Sequence, residues 1–383
     1  MNKPLKLSLL YVVTLASATG KYGGPFDTHT HQARIAHDMG FDATLLAGFL
    51  PGDAPAGESL RGVKTNFTQV RIPIPRLGFT NAFSGKMGAS LFKAIRASDI
   101  VHVSSAREMI PVTAMFLCLV LRVPYVAQGH GMLTSRSSLM HRVVDMVVRP
   151  LMRSASSVIA LTEVEASEII GWMGRNHPPV HILGNPVPPG LSPRLRTEAD
   201  RDEALFVARL HKRKRVGHFL GAAAAASLHG QSHKFVVIGP DEGEMELVNK
   251  TTSVLTNTVY EGAVSAAEVS RRVERTGVFV LTSDREPWGN VVAVALASGV
   301  PVVVPRSAAL AGRIEGHHAG AVYPDGDISA LNREVHALLS DKGLYQSCSA
   351  GALALAAAAL SDRHQEVTLG HIYSSATGSL PAS

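Results

Sequence analysis

Five cations crowd into residues 209–215, Arg-Leu-His-Lys-Arg-Lys-Arg. That much positive charge can neutralise a diphosphate, and arginine adds a forked donor geometry that matches phosphate oxygens. A solvated basic loop has the same composition, so charge alone does not separate the two readings. Further along, Leu281-Thr282-Ser283-Asp284-Arg285-Glu286-Pro287-Trp288-Gly289-Asn290 leads into a helix-like run from Val291. A strand, a loop with a carboxylate and a glycine, and then a helix start make an anion site, because the free N–H groups and the helix dipole face the ligand. Within it, Glu286 can accept hydrogen bonds from sugar hydroxyls or simply cap the loop. Two more places have the right residue types. His130 lies between two glycines in Gln128-Gly129-His130-Gly131-Met132, directly after a strand-like run. In Tyr22-Gly23-Gly24-Pro25, the glycines permit close backbone approach to a ligand or make a tight turn.

The elements that carry these residues alternate between strand-like and helix-like runs, the pattern of an α/β fold with parallel sheets. In the first half, strands are expected at residues 7–13, 42–46, 100–103, 125–127 and 157–160, with helices at 28–39, 111–121, 138–153 and 163–172. A second series has strands at 204–207, 235–238, 278–281 and 300–304 and helices at 265–273, 291–297 and 328–339. The first of those helices opens with Ser265 and Glu268 at capping-box spacing. Between the series lies Gly184-Asn185-Pro186-Val187-Pro188-Pro189-Gly190, which breaks both helix and strand. The expected organisation is therefore a domain at 1–187, a second at 188–360, and a weakly structured tail at 361–383. Two doubly wound domains joined by a hinge place a ligand cleft between the carboxyl ends of their sheets.

Composition narrows the function classes. The chain of 383 residues is 46% hydrophobic and 18% charged, which is globular rather than disordered or fibrous. Cys118 and Cys348 are too few for a disulfide scaffold, and no Cys/His cluster or HExxH spacing suggests a metal centre. The net charge of +6 is uneven: residues 1–187 hold 18 Lys+Arg against 11 Asp+Glu, the remainder 19 against 20. A basic first domain attracts phosphate-rich partners or an anionic membrane, or it only solubilises the surface. Nucleic acid is disfavoured, because the cations lack interleaved aromatics. The N-terminal run imitates a signal peptide but reads better as a buried first strand. No apolar run approaches the roughly 18 residues of a membrane span.

Taken together, these residues resemble the family 4 glycosyltransferases, from Gly23 to about Asp341. The ordered pieces are the Gly-Gly-Pro loop, His130-Gly-Met after Pro124-Tyr-Val, the Asn185-Pro186 hinge, Arg209-Leu with Lys214, Val237-Ile-Gly239 and Tyr260-Glu-Gly262. Last come Glu286-Pro-Trp-Gly and Ala297-Ser-Gly299-Val-Pro301-Val-Val303, similar to the family's Glu-x-Phe-Gly and Ala-x-Gly-x-Pro-Val-Val signature. The resemblance implies the GT-B fold, two Rossmann-like doubly wound domains facing each other across a cleft. It also implies a metal-independent, cofactor-free retaining transferase taking a UDP- or GDP-sugar. By position, Arg209 and Lys214 would bind the donor diphosphate, and Glu286 hydroxyls of the transferred sugar. The N–H groups of Gly289, Asn290 and Val291, next to Trp288, would lie near the phosphates. His130 would contact the donor sugar near the reacting carbon, and Gly23 and Gly24 the donor phosphates or the acceptor.

One position departs from the pattern. A second glutamate usually follows eight residues after the first, where it meets the nucleotide's ribose; here that residue is Val294. Loss of those hydrogen bonds costs about 1–3 kcal/mol of nucleotide binding unless another group substitutes. The leading expectation is a cytoplasmic enzyme moving a sugar onto a glycan or lipid-linked acceptor in surface or extracellular polysaccharide synthesis. Residues 140–153, apolar with spaced arginines, are a candidate contact with the inner face of the membrane, or else a core-packed helix. A GT-B epimerase would need a pair of acid/base carboxylates, which the single Glu286 does not supply. A non-catalytic sugar- or nucleotide-binding relative is the alternative that Val294 motivates.

Overall fold

The computed structural model describes residues 6–17, 23–55, 62–105, 107–133 and 139–378. The chain divides into two compact units, Met1–Pro186 with Asp362–Ser383, and Val187–Ser361.

The first unit is built on strands β1 (Ser8–Leu15), β2 (Asp42–Phe49), β3 (Lys64–Gln69), β4 (Ile100–Ser104), β5 (Tyr125–Gln128), β6 (Ser157–Ala160) and β7 (Val180–Ile182). They form one parallel sheet in the order β3-β2-β1-β4-β5-β6-β7. Its helices are α1 (Gly23–Asp38), α2 (Gly85–Arg96), α3 (Met109–Leu121), α4 (Leu139–Arg153) and α5 (Glu163–Met173). Strand β1, whose sequence also imitates a leader, is a buried interior strand of this sheet. Its alternation sends Leu10 and Val12 into a core shared with α2 to α5, and Leu9, Tyr11 and Val13 into a second core on the opposite face.

The second unit contains β8 (Glu203–Val207), β9 (Lys234–Ile238), β10 (Thr258–Tyr260), β11 (Val278–Val280), β12 (Val302–Pro305) and β13 (Gly320–Tyr323). They pair in parallel in the order β10-β9-β8-β11-β12-β13. Its helices are α6 (Val216–Leu228), α7 (Met245–Thr252), α8 (Ala266–Val273), α9 (Asn290–Ala297), α10 (Ala311–Gly316), α11 (Ile328–Ser340) and α12 (Lys342–Ala359). The expected capping box is present at the start of α8, where Glu268 N–H donates to Ser265 Oγ at 3.3 Å and Ser265 N–H to Glu268 Oε2 at 3.0 Å.

Two expectations are corrected. Helix α1 starts at Gly23 rather than at residue 28, so Gly23 and Gly24 belong to its first turn instead of a loop. Pro25 suits that turn, because its missing N–H has no intrahelical partner to lose. Tyr22 and the expected helix start at Ser138 lie outside the described residues. The weakly structured tail is instead helix α13 (Asp362–Thr377), which belongs to the first unit. There Leu369, Ile372 and Tyr373 fill the core beside α1, and Asp362 meets His31 and Arg34 at 2.8 and 2.7 Å. By length and composition the helical run Lys342–Thr377 is apolar enough to cross a membrane. Its two helices nevertheless bury Tyr345 and Cys348 in the second unit's core and Tyr373 in the first's.

Candidate active site

In both sheets the strand order reverses direction once, between β1 and β4 and between β8 and β11, and α/β proteins bind ligands outside the strand ends at such points. In the second unit the loops after β8 and β11 are joined there. Thr282 Oγ1 donates to the carbonyls of Lys214 and Arg215 at 2.8 and 3.0 Å, and Asp284 N–H to Arg213 O at 2.9 Å. Arg215 turns the chain in the left-handed region, φ 49°, and pairs with Asp284 at 3.3 Å. The result brings Lys214 Nζ to 2.6 Å from Glu286 Oε2, with the lysine 25% and the glutamate 15% exposed.

Arg209 stands at the same end of the sheet, 66% exposed, its Nη1 donating to both Glu242 oxygens at 2.9 and 3.0 Å. Its loop depends on a glycine next door. Gly239, at φ 148°, lies so close to the end of β8 that a Cβ there would sit 1.7 Å from Ala208 O. Gly289, at φ 82°, is the N-cap of α9, and its own missing side chain leaves room beside Val292 and Glu286. Asn290 and Val291 open that helix. Trp288, directly before Gly289, is buried, its indole N–H without a hydrogen-bond partner among the described residues. Val294 is 5% exposed within α9. The second unit therefore gathers Arg209, Lys214, Glu286, Trp288, Gly289, Asn290 and Val291 from two loops at one switch point.

His130, Gly23 and Gly24 belong to the first unit. His130 follows β5 in a tight loop, with φ 51° at His130 and 73° at Gly131. Its imidazole is buried and packs against His29, ring centres 5.0 Å apart, while His29 lies 4.8 Å from His102. Burial holds all three rings below the usual histidine range, His29 at about 4, so they are neutral. Gly24 closes the first turn of α1 by accepting from Thr28 Oγ1 at 2.9 Å, with open space where a Cβ would be.

Several supporting residues were not picked out from sequence. Glu165 accepts from Gly131 N–H and from Leu161 N–H, both at 2.6 Å, and so fixes the His130 loop from below. Thr162 with Glu165 has capping-box spacing, and Thr162 does accept from Glu165 N–H at 3.2 Å. The carboxylate, however, is used on the loop instead. On the other side Arg107 donates to Met132 O at 3.2 Å while pairing with Asp145, whose second oxygen also takes Trp172 Nε1–H at 3.0 Å. Against the burial that raises it, Arg107 and Trp172 hold the Asp145 carboxyl below the usual range.

Arg107 and Asp145 are each only 9% exposed. Asp145→Ala is therefore expected to destabilise the first unit by about 3–5 kcal/mol, since it leaves a buried guanidinium without its carboxylate. Urea unfolding checks this, and a loss below about 1 kcal/mol would mean that the pair is exposed in solution.

Comparison with known proteins agrees with this architecture. Residues 28–191 match Glycosyltransferase Family 4, and residues 191–354 match Glycosyl transferases group 1. A GDP-mannose-dependent alpha-mannosyltransferase of Mycobacterium tuberculosis is 25% identical over 75% of this chain and 76% of its own. A 2-deoxystreptamine glucosyltransferase of Streptomyces kanamyceticus is 22% identical over 81% and 88%. Among solved structures, Anabaena HepE in complex with UDP superposes with a TM-score of 0.73 at 16% identity, covering 96% of this chain and all of that one. With the two matched segments adjoining at residue 191, and with two parallel-sheet α/β units of GT-B type, this chain belongs to the family 4 glycosyltransferases.

Proposed function

We propose that the protein is a retaining glycosyltransferase that moves a sugar from a UDP- or GDP-sugar to a glycan or lipid-linked acceptor, in the cytoplasm, for surface or extracellular polysaccharide. The observation that carries this reading is the Lys214–Glu286 pair, 2.6 Å apart at the β8/β11 switch point, with Arg209 in the same loop after β8.

In this reading the diphosphate displaces Glu242 from Arg209 and takes positive charge from Lys214. Glu286 then turns its freed oxygen to hydroxyls of the transferred sugar. The N–H groups of Gly289, Asn290 and Val291 complete the phosphate cradle, helped by the dipole of α9. As the bond from the anomeric carbon to the diphosphate oxygen breaks, an acceptor hydroxyl attacks the same face. Its proton passes to the leaving phosphate oxygen. The negative charge that grows on the diphosphate is what the two cations stabilise. His130, a neutral donor or acceptor, contacts the sugar near the reacting carbon. Gly23 and Gly24 offer the first N–H groups of α1 to phosphate or acceptor. The first unit serves the acceptor and the second the donor.

A second reading has its own observation. Val294 is apolar and buried where the family pattern has a glutamate, so a binding protein without turnover is the alternative.

Relatives use both kinds of base, a GDP-sugar in the mannosyltransferase and UDP in HepE, so the screen includes both. A nucleotide or nucleotide sugar at about 100 times its Kd is expected to stabilise the protein by about 2.7 kcal/mol, read as a rise in Tm. Arg209→Ala is expected to remove the rise. No shift with any UDP, GDP or ADP ligand would sink the donor reading. A shift without slow hydrolysis of the bound sugar nucleotide would favour the non-catalytic one.

A further inference from the structure

Helix α4, offered from sequence both as a core helix and as a membrane contact, has one side for each. It buries Asp145, Val148, Leu151 and Met152, and turns Arg142, Val143, Met146 and Val147 outward. Packed beside it is α3, whose outward side carries no charge at all and leaves Phe116 56% and Val120 60% exposed; Met146 on α4 is 70% exposed. Helix α2, on the far side of α3, exposes Phe92 among Lys86, Lys93 and Arg96. Across these three helices no described carboxylate faces solvent, because Asp145 is buried on Arg107. Exposed acidic groups bound the face at Asp99, just past α2, and on α5, with Glu163 and Glu168.

We propose that this outward face of α2, α3 and α4 is a docking surface for an anionic phospholipid bilayer. Phe92, Phe116, Val120 and Met146 enter the headgroup boundary, and the lysines and arginines around them meet the lipid phosphates. Large apolar side chains exposed on adjoining helices of a folded chain point to an interaction site. Its rim decides the partner. An isologous contact with a second copy sets the same basic rim against itself with no carboxylate to pair. A nucleic acid satisfies the cations but covers none of the aliphatic side chains. An anionic bilayer satisfies both. The inference rests on this surface alone and makes no use of the donor site.

The test is co-sedimentation of the full chain with phosphatidylcholine vesicles, with and without roughly 30% phosphatidylglycerol, at about 0.1 and 0.5 M salt. Binding to the anionic vesicles is expected, roughly tenfold or more weaker to pure phosphatidylcholine and weakened by salt. Phe116→Glu with Met146→Glu is expected to abolish it, and Lys93→Glu with Arg96→Glu to weaken it roughly tenfold, with Tm unchanged. If the apolar double variant fails to fold, Arg142→Glu tests the same face through a fully surface charge. Absence of binding to anionic vesicles overturns the proposal, as does binding that none of these variants alters. So does a dimer in sedimentation velocity that Met146→Glu dissociates while vesicles are ignored.

Discussion

Lys214→Ala is expected to slow sugar transfer by about 10²–10³-fold, the usual loss when one preorganised donor to a developing negative charge is removed. The lysine is three-quarters buried and held at 2.6 Å from Glu286, so its charge is screened less than that of the exposed Arg209. Before the donor arrives, the two charges cancel. Once the diphosphate departs with an extra negative charge, the lysine gains more interaction in the transition state than in the ground state. The loss should therefore appear in kcat, with KM for the donor changing little. Glu286→Gln should behave differently. It keeps a hydrogen-bonding group for the sugar but frees Lys214 from its counter-ion, so donor binding should tighten while transfer slows. Single-turnover transfer, or hydrolysis of the donor where no acceptor is known, measures both. A Lys214→Ala enzyme within about threefold of the parent would show that the lysine does not touch the leaving group.

Between about pH 6.5 and pH 4 the first unit should lose the stability that its neutral histidines hold. The cause is the buried cluster of His29, His102 and His130. An arrangement of protons that satisfies its bonds starts with Tyr11 O–H donating to Gln32 O at 3.1 Å. Tyr373 then donates to Tyr11 and His102 Nδ1–H to Tyr373, each at 2.8 Å, and His29 Nδ1–H to Pro25 O at 3.0 Å. Gln128 beside His102 and Asn185 beside His130 favour a second ring proton, but burial opposes charging and outweighs them. The folded-state pKa values therefore lie below those of the unfolded chain. Above about pH 6.5 neither state binds the protons and the stability is complete; as pH falls toward 4 the unfolded state takes them up first. His29, held at about 4, alone accounts for about 3 kcal/mol at full protonation of the unfolded chain and its histidine neighbours add to that, while Asp27, pushed up to about 6 by desolvation in the same unit, works in the opposite sense. Urea unfolding at pH 7.5 and 4.5 gives the difference, and His29→Gln should flatten it. Because Asp27 titrates in the opposite sense, the reading is the difference between parent and variant, and a pH dependence that His29→Gln leaves unchanged would mean that the rings are hydrated and titrate normally.

The alternation of apolar runs was enough to place the central strands and the switch-point loops, because buried parallel strands are continuous apolar stretches with glycine at their ends. Strand β1 and the capping box of α8 were legible in this way. The edge strands were not. Lys64–Gln69 reads Lys-Thr-Asn-Phe-Thr-Gln, and only Thr68 is buried, so pairing with β2 rather than hydrophobicity makes it a strand. Strands β7 and β10 are three residues long, too short to show any period. Helix α13 looked like a tail because its local sequence is weakly patterned, and its stability comes from Tyr373, Leu369 and Asp362 meeting residues of α1 and β1.

At the site the division is similar. The residue types and spacing of Arg209, Lys214, Glu286, Gly289 and His130 can be read along the chain, since each lies in a short segment with its own turn or helix start. That Lys214 is neutralised by Glu286, that Glu242 occupies Arg209, and that Glu165 and Arg107 grip the His130 loop could not be read there. Those partners are separated by tens of residues, and only the packing of neighbouring strand ends brings them within hydrogen-bonding distance. Periodicity and local turn chemistry sufficed for the elements and their order. Burial and charge pairing, which set the protonation and reach of each side chain, exist only once the sheets have assembled.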